Sequence, residues 1–168
     1  MEEPYIIEGE GRGAHLTQIM LFKQIWLLSN KRSFVSNIFL REYFGTDLFL
    51  NLFAHVLPKA QNKYPNFKYY ARNIVLLSPG EHGLWDQGTE EARIAYSLEI
   101  EAATGGRAKA DWDKLKALEA SLKEEYKKVF PTTIGMIIGV KYTPEEVAAK
   151  IGKLNRQYWE ELKKNGGR

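Results

Sequence analysis

The sequence contains no cysteine, which excludes disulfide bonds and thiolate metal sites. It also contains no apolar run as long as the roughly 18 residues that a membrane-spanning helix needs. The most hydrophobic stretch, residues 34–57, is interrupted by Arg41, Glu42, Asp47 and His55. The apolar fraction of 44% is nevertheless enough to fill a core. We therefore expect a soluble protein of 168 residues that forms one domain, or one domain with an appended helix.

Residues that could form a catalytic or metal-binding site are also scarce. The three histidines, His15, His55 and His82, are far apart in the sequence. Glu81, His82 and Asp86 could approach one cation, but their spacing does not hold three ligands in a coordination geometry. We interpret them as part of a surface loop, and we expect no metal, no cofactor and no enzymatic activity. A small nucleic-acid-processing enzyme that uses these three residues is the alternative.

The net charge of +3 is unevenly distributed. Residues 1–10 carry four glutamates and no base, so they sum to −4 and do not resemble a signal peptide. Residues 11–80 carry nine bases against two acids, which gives +7, together with 12 of the 21 aromatic residues. Residues 81–168 carry 15 bases and 15 acids. The uneven distribution sets residues 11–80 apart as a basic and aromatic region.

A basic and aromatic region can neutralise phosphates and bury area at the same time. The sequence has no helix-turn-helix, zinc finger or other base-reading motif, so we predict contact with the nucleic-acid backbone and no sequence readout. The alternative is that the charges lie on solvated helix surfaces and the aromatic residues in a core. The candidate nucleic-acid-binding residues are Arg12, Lys23, Lys31, Arg32, Arg41, Lys59, Lys63, Lys68 and Arg72.

Hydrophobic periodicity and capping signals predict an all-α fold, a bundle of about six to seven helices. Thr89, Asp111 and Thr143 are predicted to cap three of them, the last with a capping box completed by Glu146. Residues 78–83 are predicted to form a loop. The predicted helices cover about 15–28, 34–44, 47–56, 67–77, 90–103, 112–129 and 143–164, and residues 134–140 form either a buried helix or a strand.

The predicted bundle has an extended N-terminal arm and an appended C-terminal helix. Gly9, Gly11 and Gly13 alternate in the arm, but no strand precedes them and no Gly-Lys-Ser/Thr follows, so a phosphate-cradling loop is not predicted. We predict a flexible arm over 1–14, a helical domain over 15–142, and a C-terminal helix with a tail over 143–168.

The predicted helices within 15–57 are apolar on most of their sides. Residues 34–44 and 48–53 leave little polar surface. Helices of this kind must be buried on most sides, so we expect burial against another subunit, or alternatively in the centre of a single domain.

The order of these elements resembles that of a known family. A basic amphipathic segment and an apolar helix precede His55-Val-Leu-Pro-Lys-Ala-Gln-Asn-Lys-Tyr-Pro-Asn-Phe67. Two further helices follow, the second containing Leu115-Lys-Ala-Leu-Glu-Ala-Ser-Leu-Lys-Glu-Glu-Tyr-Lys-Lys-Val-Phe130, and then a short apolar element. This pattern resembles the major capsid proteins of rod-shaped and filamentous viruses of hyperthermophilic archaea (lipothrixviruses, rudiviruses and tristromaviruses). The resemblance covers roughly residues 15–140, with its best local match at 58–61.

The resemblance implies a helical capsid subunit of a virion that is assembled in the host cytoplasm. Members of this family pair as homodimers or as heterodimers with a related capsid protein. The dimers wrap double-stranded DNA in the A form into a helical assembly, which a lipid envelope surrounds in the filamentous viruses. Two features depart from the pattern. Residues 1–10 are acidic and are not expected to touch DNA, and the helix at 143–164 extends beyond the shorter rod-virus proteins. A helical protein-binding adaptor or secretion-machine subunit with no nucleic-acid role is the alternative.

Overall fold

A computed structural model describes residues 14–59, 63–134, 137–138 and 141–165. The predicted arm and Arg12 therefore lie outside the described residues. The described part is mostly helical, as predicted, but it contains five α-helices instead of six to seven, and its elements do not establish a bundle. The helices are α1 (Ala14–Leu28), α2 (Pro79–Gln87), α3 (Glu90–Ala103), α4 (Trp112–Val129) and α5 (Pro144–Lys164). Among the described residues, no helix is long and apolar enough to cross a membrane.

Four of the helices form where the sequence predicted them, and at three of them the predicted capping signals are satisfied. The Thr89 hydroxyl accepts a hydrogen bond from the backbone N–H of Ala92, at 3.1 Å, and α3 begins at the next residue. Asp111 accepts from the N–H of Lys114 in the same way, at 3.1 Å, ahead of α4. Thr143 and Glu146 form the predicted capping box, each side chain bonding to the other's backbone N–H, and α5 follows. The fourth, α1, begins one residue before its predicted start.

Three predicted helices, over 34–44, 47–56 and 67–77, are wrong. Short 3-10 turns at Arg41–Tyr43, Phe49–Leu52, Pro65–Phe67 and Ala71–Asn73 occur there, with the strands β1 (Phe53–His55) and β2 (Ile74–Leu76). The two strands pair in antiparallel register, with Phe53 opposite Leu76 and His55 opposite Ile74. A short buried apolar run has no periodicity that separates a strand from a helix, and the β-branched pair Ile74-Val75 favours the strand.

The predicted loop over 78–83 is also wrong, since this segment begins α2. Ser78 is the N-cap, Pro79 occupies the first turn, and Glu81 completes a capping box with Ser78. The sequence contains the Ser-x-x-Glu pattern of a capping box, but Pro79, Gly80 and Gly83 in the same segment are typical of a turn and favoured the loop prediction.

The apolar segment at 134–140 adopts the strand alternative where the structure describes it. The strands β3 (Thr133–Ile134) and β4 (Ile137–Ile138) pair in antiparallel register, Thr133 opposite Ile138. The segment between them lies outside the described residues.

The chain divides into two compact units. The first takes in the described residues of 1–30, 57–73 and 120–168, and the second takes in 31–56 and 74–119. Each has its own buried apolar side chains. The largest fully buried ones are Leu21, Leu57, Phe67, Leu122, Phe130, Ile151 and Trp159 in the first unit, and Leu40, Leu52, Ile74, Leu77 and Leu115 in the second.

Two fully buried asparagines organise the irregular backbone of the first unit. The Asn155 side chain, on α5, accepts from the N–H of Ala71 at 2.8 Å and donates to the carbonyl of Tyr69 at 3.0 Å. The Asn73 side chain accepts from the N–H of Leu57 at 2.8 Å and donates to its carbonyl at 3.2 Å. These bonds satisfy buried peptide groups that no helix or strand satisfies, which lets a non-helical segment run through the core.

Candidate nucleic-acid interface

Residues 31–40 form a short antiparallel hairpin in the second unit, which we call the basic hairpin. The N–H of Leu40 donates to the carbonyl of Lys31 at 2.9 Å, and the N–H of Ser33 donates to that of Ile38 at 2.9 Å. Asn37 closes the turn with a φ of 62°, a left-handed conformation that asparagine tolerates better than most residues. The pairing places Lys31 opposite Leu40, so positions 31 and 41 lie at the open end of the hairpin, and Arg32 follows on the first strand.

The guanidinium of Arg32 lies over an exposed aromatic ring. Its Cζ is 3.6 Å from the ring centroid of Phe39, the residue opposite it in the hairpin. Its Nη1 also donates to the carbonyl of Asn37 at 3.0 Å. The Phe39 side chain is 58% exposed. The stack holds a planar cation and an apolar ring together at the surface, where both can contact a partner.

Residues 41–50 follow the basic hairpin as a series of tight turns, which we call the turn segment. Its backbone bonds include the N–H of Phe44 to the carbonyl of Arg41 and the N–H of Phe49 to the carbonyl of Thr46. The rings of Phe44 and Phe49 meet edge to face at 5.4 Å, and Phe49 meets the buried Phe53 in the same way. The large apolar side chains that remain exposed here are Phe44, Leu48 and Leu50.

The turn segment revises the expected burial of 34–57. Val35, Leu40, Leu52 and Phe53 are buried in the core of the second unit, as the single-domain alternative requires. Phe39, Phe44, Leu48 and Leu50 remain exposed outside that core. Their burial against another subunit stays a prediction.

A buried glutamate anchors the basic hairpin. The Glu81 side chain, on α2, is fully buried. Its Oε1 accepts from the Ser33 hydroxyl at 2.7 Å and from the N–H of Ser78 at 2.8 Å, and its Oε2 accepts from the Tyr96 hydroxyl at 2.9 Å. Three donors therefore replace the water that a carboxylate loses on burial.

The two ends of this network are fixed as well. The Ser33 hydroxyl oxygen accepts from the backbone N–H groups of Val35 and Ser36, both at 3.2 Å, so it shapes the turn of the hairpin while donating to Glu81. On α3, burial and the nearby charge of Glu81 raise the pKa of Tyr96 above its ordinary value, so its hydroxyl keeps the proton that it donates.

The three residues considered for a cation site do not converge. Glu81 points into the buried network, whereas the His82 ring bonds through Nδ1 to the carbonyl of Asn51 at 2.7 Å. Nε2 of His82 lies 3.1 Å from Oδ2 of Asp86, which is one turn along α2. Across the ranges that the structure describes, no group of three or more His, Asp or Glu residues could hold a metal ion.

The other candidate basic residues belong to the first unit. Lys23 is exposed on α1, and Lys59 and Lys63 are exposed on either side of residues 60–62, which are not described. The Lys68 ammonium lies 5.0 Å from the ring centroid of Tyr69. The sequence prediction therefore divides in two, with 31, 32 and 41 on the basic hairpin and turn segment of the second unit and the remaining described positions in the first.

Arg72 differs from the other candidates because acidic and hydroxyl groups of α4 engage it. Its Nη1 lies 3.1 Å from Oε1 of Glu125, and its Nη2 donates to the Ser121 hydroxyl at 2.9 Å. A phosphate would have to replace Glu125 to use this guanidinium. Beside it, burial first and the charge of Glu125 second raise the pKa of Tyr70. These side chains line an open pocket of about 630 Å³ with Glu124, Lys128, Leu154, Gln157, Tyr158 and Glu161.

Sequence reasoning identified the cations of the candidate interface but missed Glu81, which anchors the hairpin that carries two of them. The only signal for Glu81 was its place in the Ser-x-x-Glu pattern, and nothing in the sequence linked it to Ser33, 48 residues away. No protein-family model, no curated protein and no solved structure matches the chain.

Proposed function

We propose that this chain is a non-enzymatic structural subunit that binds the backbone of double-stranded DNA without sequence readout and assembles with copies of itself or of a related subunit. In its most specific form, the proposal is a capsid subunit of a filamentous virus. The observation that carries it is the basic hairpin, in which Arg32 is stacked on exposed Phe39, and Lys31 and Arg41 stand at the two backbone ends.

The arrangement suits phosphates better than bases. Lys31, Arg32 and Arg41 lie on the basic hairpin and at the start of the turn segment, so these three are not carried by an α-helix that could act as a recognition element for the major groove. Contacts of this kind are modest individually and become strong when many subunits repeat them along one duplex. The exposed ring of Phe39, stacked on Arg32, would displace water where it met the duplex, and dehydrated duplex favours the A form.

Assembly is supported by the apolar side chains that the second unit leaves exposed. Phe44, Leu48 and Leu50 on the turn segment are between 40% and 63% exposed. Ile94 and Leu98, one turn apart on α3, are 55% and 63% exposed. Clusters of large apolar side chains that are exposed to solvent mark contact surfaces. Pairing of subunits through one set would leave the other for contacts along a filament.

A protein-binding adaptor is the second candidate, and the exposed pair on α3 favours it. Ile94 and Leu98 present a small apolar face that needs no nucleic acid to explain it. Light scattering of the purified protein, with and without random-sequence duplex DNA, separates the two functions. Particles that grow only when DNA is added support the proposed function, whereas equal scattering with and without DNA favours the adaptor.

A further inference from the structure

One face of α3 is exposed along most of the helix. The opposite face packs within the second unit, where the Tyr96 hydroxyl donates to Glu81 and the Tyr96 ring meets that of Trp112 edge to face. The exposed face, which we call the outer face, consists of Glu91, Ile94, Ala95, Leu98 and Ala102. Its large apolar side chains, Ile94 and Leu98, make it a contact surface.

The spacing of the outer face is that of the seam between two paired helices. Positions 91, 95, 98 and 102 are separated by four, three and four residues, the alternation that aligns the contact positions of a coiled coil. The seam also alternates in size, because Leu98 stands between Ala95 and Ala102. A helix that packs here fits best if it places a large side chain against an alanine.

A second copy of α3 meets this requirement when it runs antiparallel to the first. In that arrangement Leu98 of each copy packs against Ala95 of the other, and Glu91 stands opposite Ala102. A parallel pair would instead place leucine against leucine and alanine against alanine, which crowds one layer and leaves a gap in the next. The volumes of the side chains therefore favour the antiparallel pair.

The charges at the two ends of the outer face favour the same orientation. Glu91 lies in the first turn of α3, and Arg107 is exposed just beyond the last. Gly105 and Gly106, with φ of 61° and 80°, end the helix. Beyond them, Nε of Arg107 donates to the carbonyl of Thr104 at 3.0 Å, which keeps the guanidinium at that end. An antiparallel pair brings Glu91 towards Arg107 of the other copy, whereas a parallel pair sets like charges side by side.

We propose that the outer face of α3 pairs with the outer face of a second copy, with the two helices antiparallel and Leu98 packed against Ala95 of the other copy. This pairing deepens the assembly part of the proposed function and rests on it only in taking a second copy as the partner. Nucleic acid takes no part in the contact, so the free protein forms it. A contact of one helix face is small, and we expect a dimer with a Kd on the order of 10–100 µM.

Sedimentation equilibrium of the full-length chain without DNA measures the pairing. Leu98→Gln should weaken the dimer at least about tenfold, because it places a polar group in the seam. The matched control is Leu50→Gln on the turn segment, which should leave the Kd within about twofold. Both leucines are exposed, so neither change removes a core side chain. A chain that stays monomeric at about ten times the expected Kd, or equal losses in the two variants, overturns the inference.

Disulfide cross-linking determines the orientation, because the absence of cysteine leaves the background clean. Chains with Glu91→Cys are mixed with chains with Ala102→Cys and oxidised. In the antiparallel pair 91 faces 102 of the other copy, whereas two copies of either position lie about 16 Å apart along the axis, at about 1.5 Å per residue. We expect mixed disulfides to form at least about tenfold faster than like-with-like ones. Faster like-with-like bonds would show a parallel pair and overturn the inference.

Charge reversal tests the contacts at the ends of the seam. Glu91→Arg alone, or Arg107→Glu alone, sets like charges against each other and should weaken the dimer about fivefold. The two changes in one chain restore opposite charges between antiparallel copies, so the Kd should return to within about twofold of the unchanged chain. Losses that add up in the double variant overturn the antiparallel assignment.

The outcomes separate pairing from nucleic-acid binding. A chain that pairs in this way but does not bind duplex DNA supports the inference and removes the nucleic-acid part of the proposed function. A chain that binds duplex DNA but stays monomeric without it overturns the inference and leaves nucleic-acid binding in place.

Discussion

The hydroxyl of Ser33 donates a 2.7 Å hydrogen bond to Oε1 of Glu81, across 48 residues of sequence. The bond joins the turn of the basic hairpin to the first turn of α2, and both partners are buried. The position of Arg32, the neighbour of Ser33 in the hairpin, therefore depends on a buried carboxylate that no partner would touch.

Replacing Glu81 with alanine should destabilise the protein strongly. The change leaves the Ser33 hydroxyl, the N–H of Ser78 and the Tyr96 hydroxyl without an acceptor, and we expect a loss of about 3 kcal/mol in the free energy of unfolding. Glu81→Gln keeps an acceptor oxygen and should lose less. Urea denaturation of both variants checks this, and equal loss in the two would contradict the role of the hydrogen bonds.

The raised pKa of Tyr96 predicts how stability responds to alkaline pH. Below the ordinary tyrosine pKa of 10.0 both states hold the proton, so the stabilisation is complete. As the pH rises above 10, Tyr96 releases its proton in the unfolded chain but keeps it in the folded chain, so the free energy of unfolding falls. The slope is at most about 1.4 kcal/mol per pH unit for each such tyrosine, reduced here because Tyr96 is only half-buried and solvent screens it.

Unfolding measured between pH 9 and 11.5 in the unchanged chain and in Tyr96→Phe tests this slope. Phenylalanine has no proton to release, so the variant should lose stability less steeply with pH. An identical slope in both proteins would show that Tyr96 ionises alike in the folded and unfolded chain.

Asn155 is expected to matter more for stability than its polar character suggests. Asn155→Ala leaves the N–H of Ala71 and the carbonyl of Tyr69 buried and unpaired, which should cost about 2–3 kcal/mol. The exposed Gln157, two residues along α5, gives a matched control, since Gln157→Ala should change stability by less than about 0.5 kcal/mol. Thermal unfolding compares them, and similar midpoints would mean that water replaces the lost bonds.

Arg72 should contribute little to nucleic-acid binding, although its sequence context placed it among the candidates. Its ion pair with Glu125 is partly exposed, with 26% and 29% of the two side chains accessible, so breaking it should cost no more than about 1 kcal/mol of stability. We expect Arg72→Ala to bind duplex DNA within about twofold of the unchanged chain. A tenfold loss would show that the ion pair opens to receive a phosphate.

The sequence predicted some parts of this fold and not others for physical reasons. Thr89, Asp111 and Thr143 gave correct helix starts because a capping hydrogen bond is local and needs no tertiary partner. The segments at 34–57 and 67–77 could not be predicted, because part of their backbone is held by hydrogen bonds to groups distant in the sequence, which leave no local pattern. Asn155 is the clearest example, since it satisfies a peptide group 84 residues away.

The candidate interface divides in the same way. Charge counts over 11–80 identified its cations, because surface charge needs no knowledge of the fold. The hairpin that stacks Arg32 on Phe39 depends on β pairing and on the anchor at Glu81. Neither has a local signature.

The most direct test of the proposed function is binding to random-sequence duplex DNA across a salt series. Three proteins are compared: the unchanged chain, Lys31→Glu/Arg32→Glu, and Lys153→Glu/Arg156→Glu, whose exposed sites on α5 give the same change in net charge, from +3 to −1. We predict sequence-indifferent binding that falls steeply with salt, with affinity and salt slope reduced in the first variant, by roughly 1 in the slope for each lost phosphate contact, and much less in the second. Absence of binding at low salt, or equal loss in the two variants, would contradict the assignment of the basic hairpin as a nucleic-acid interface.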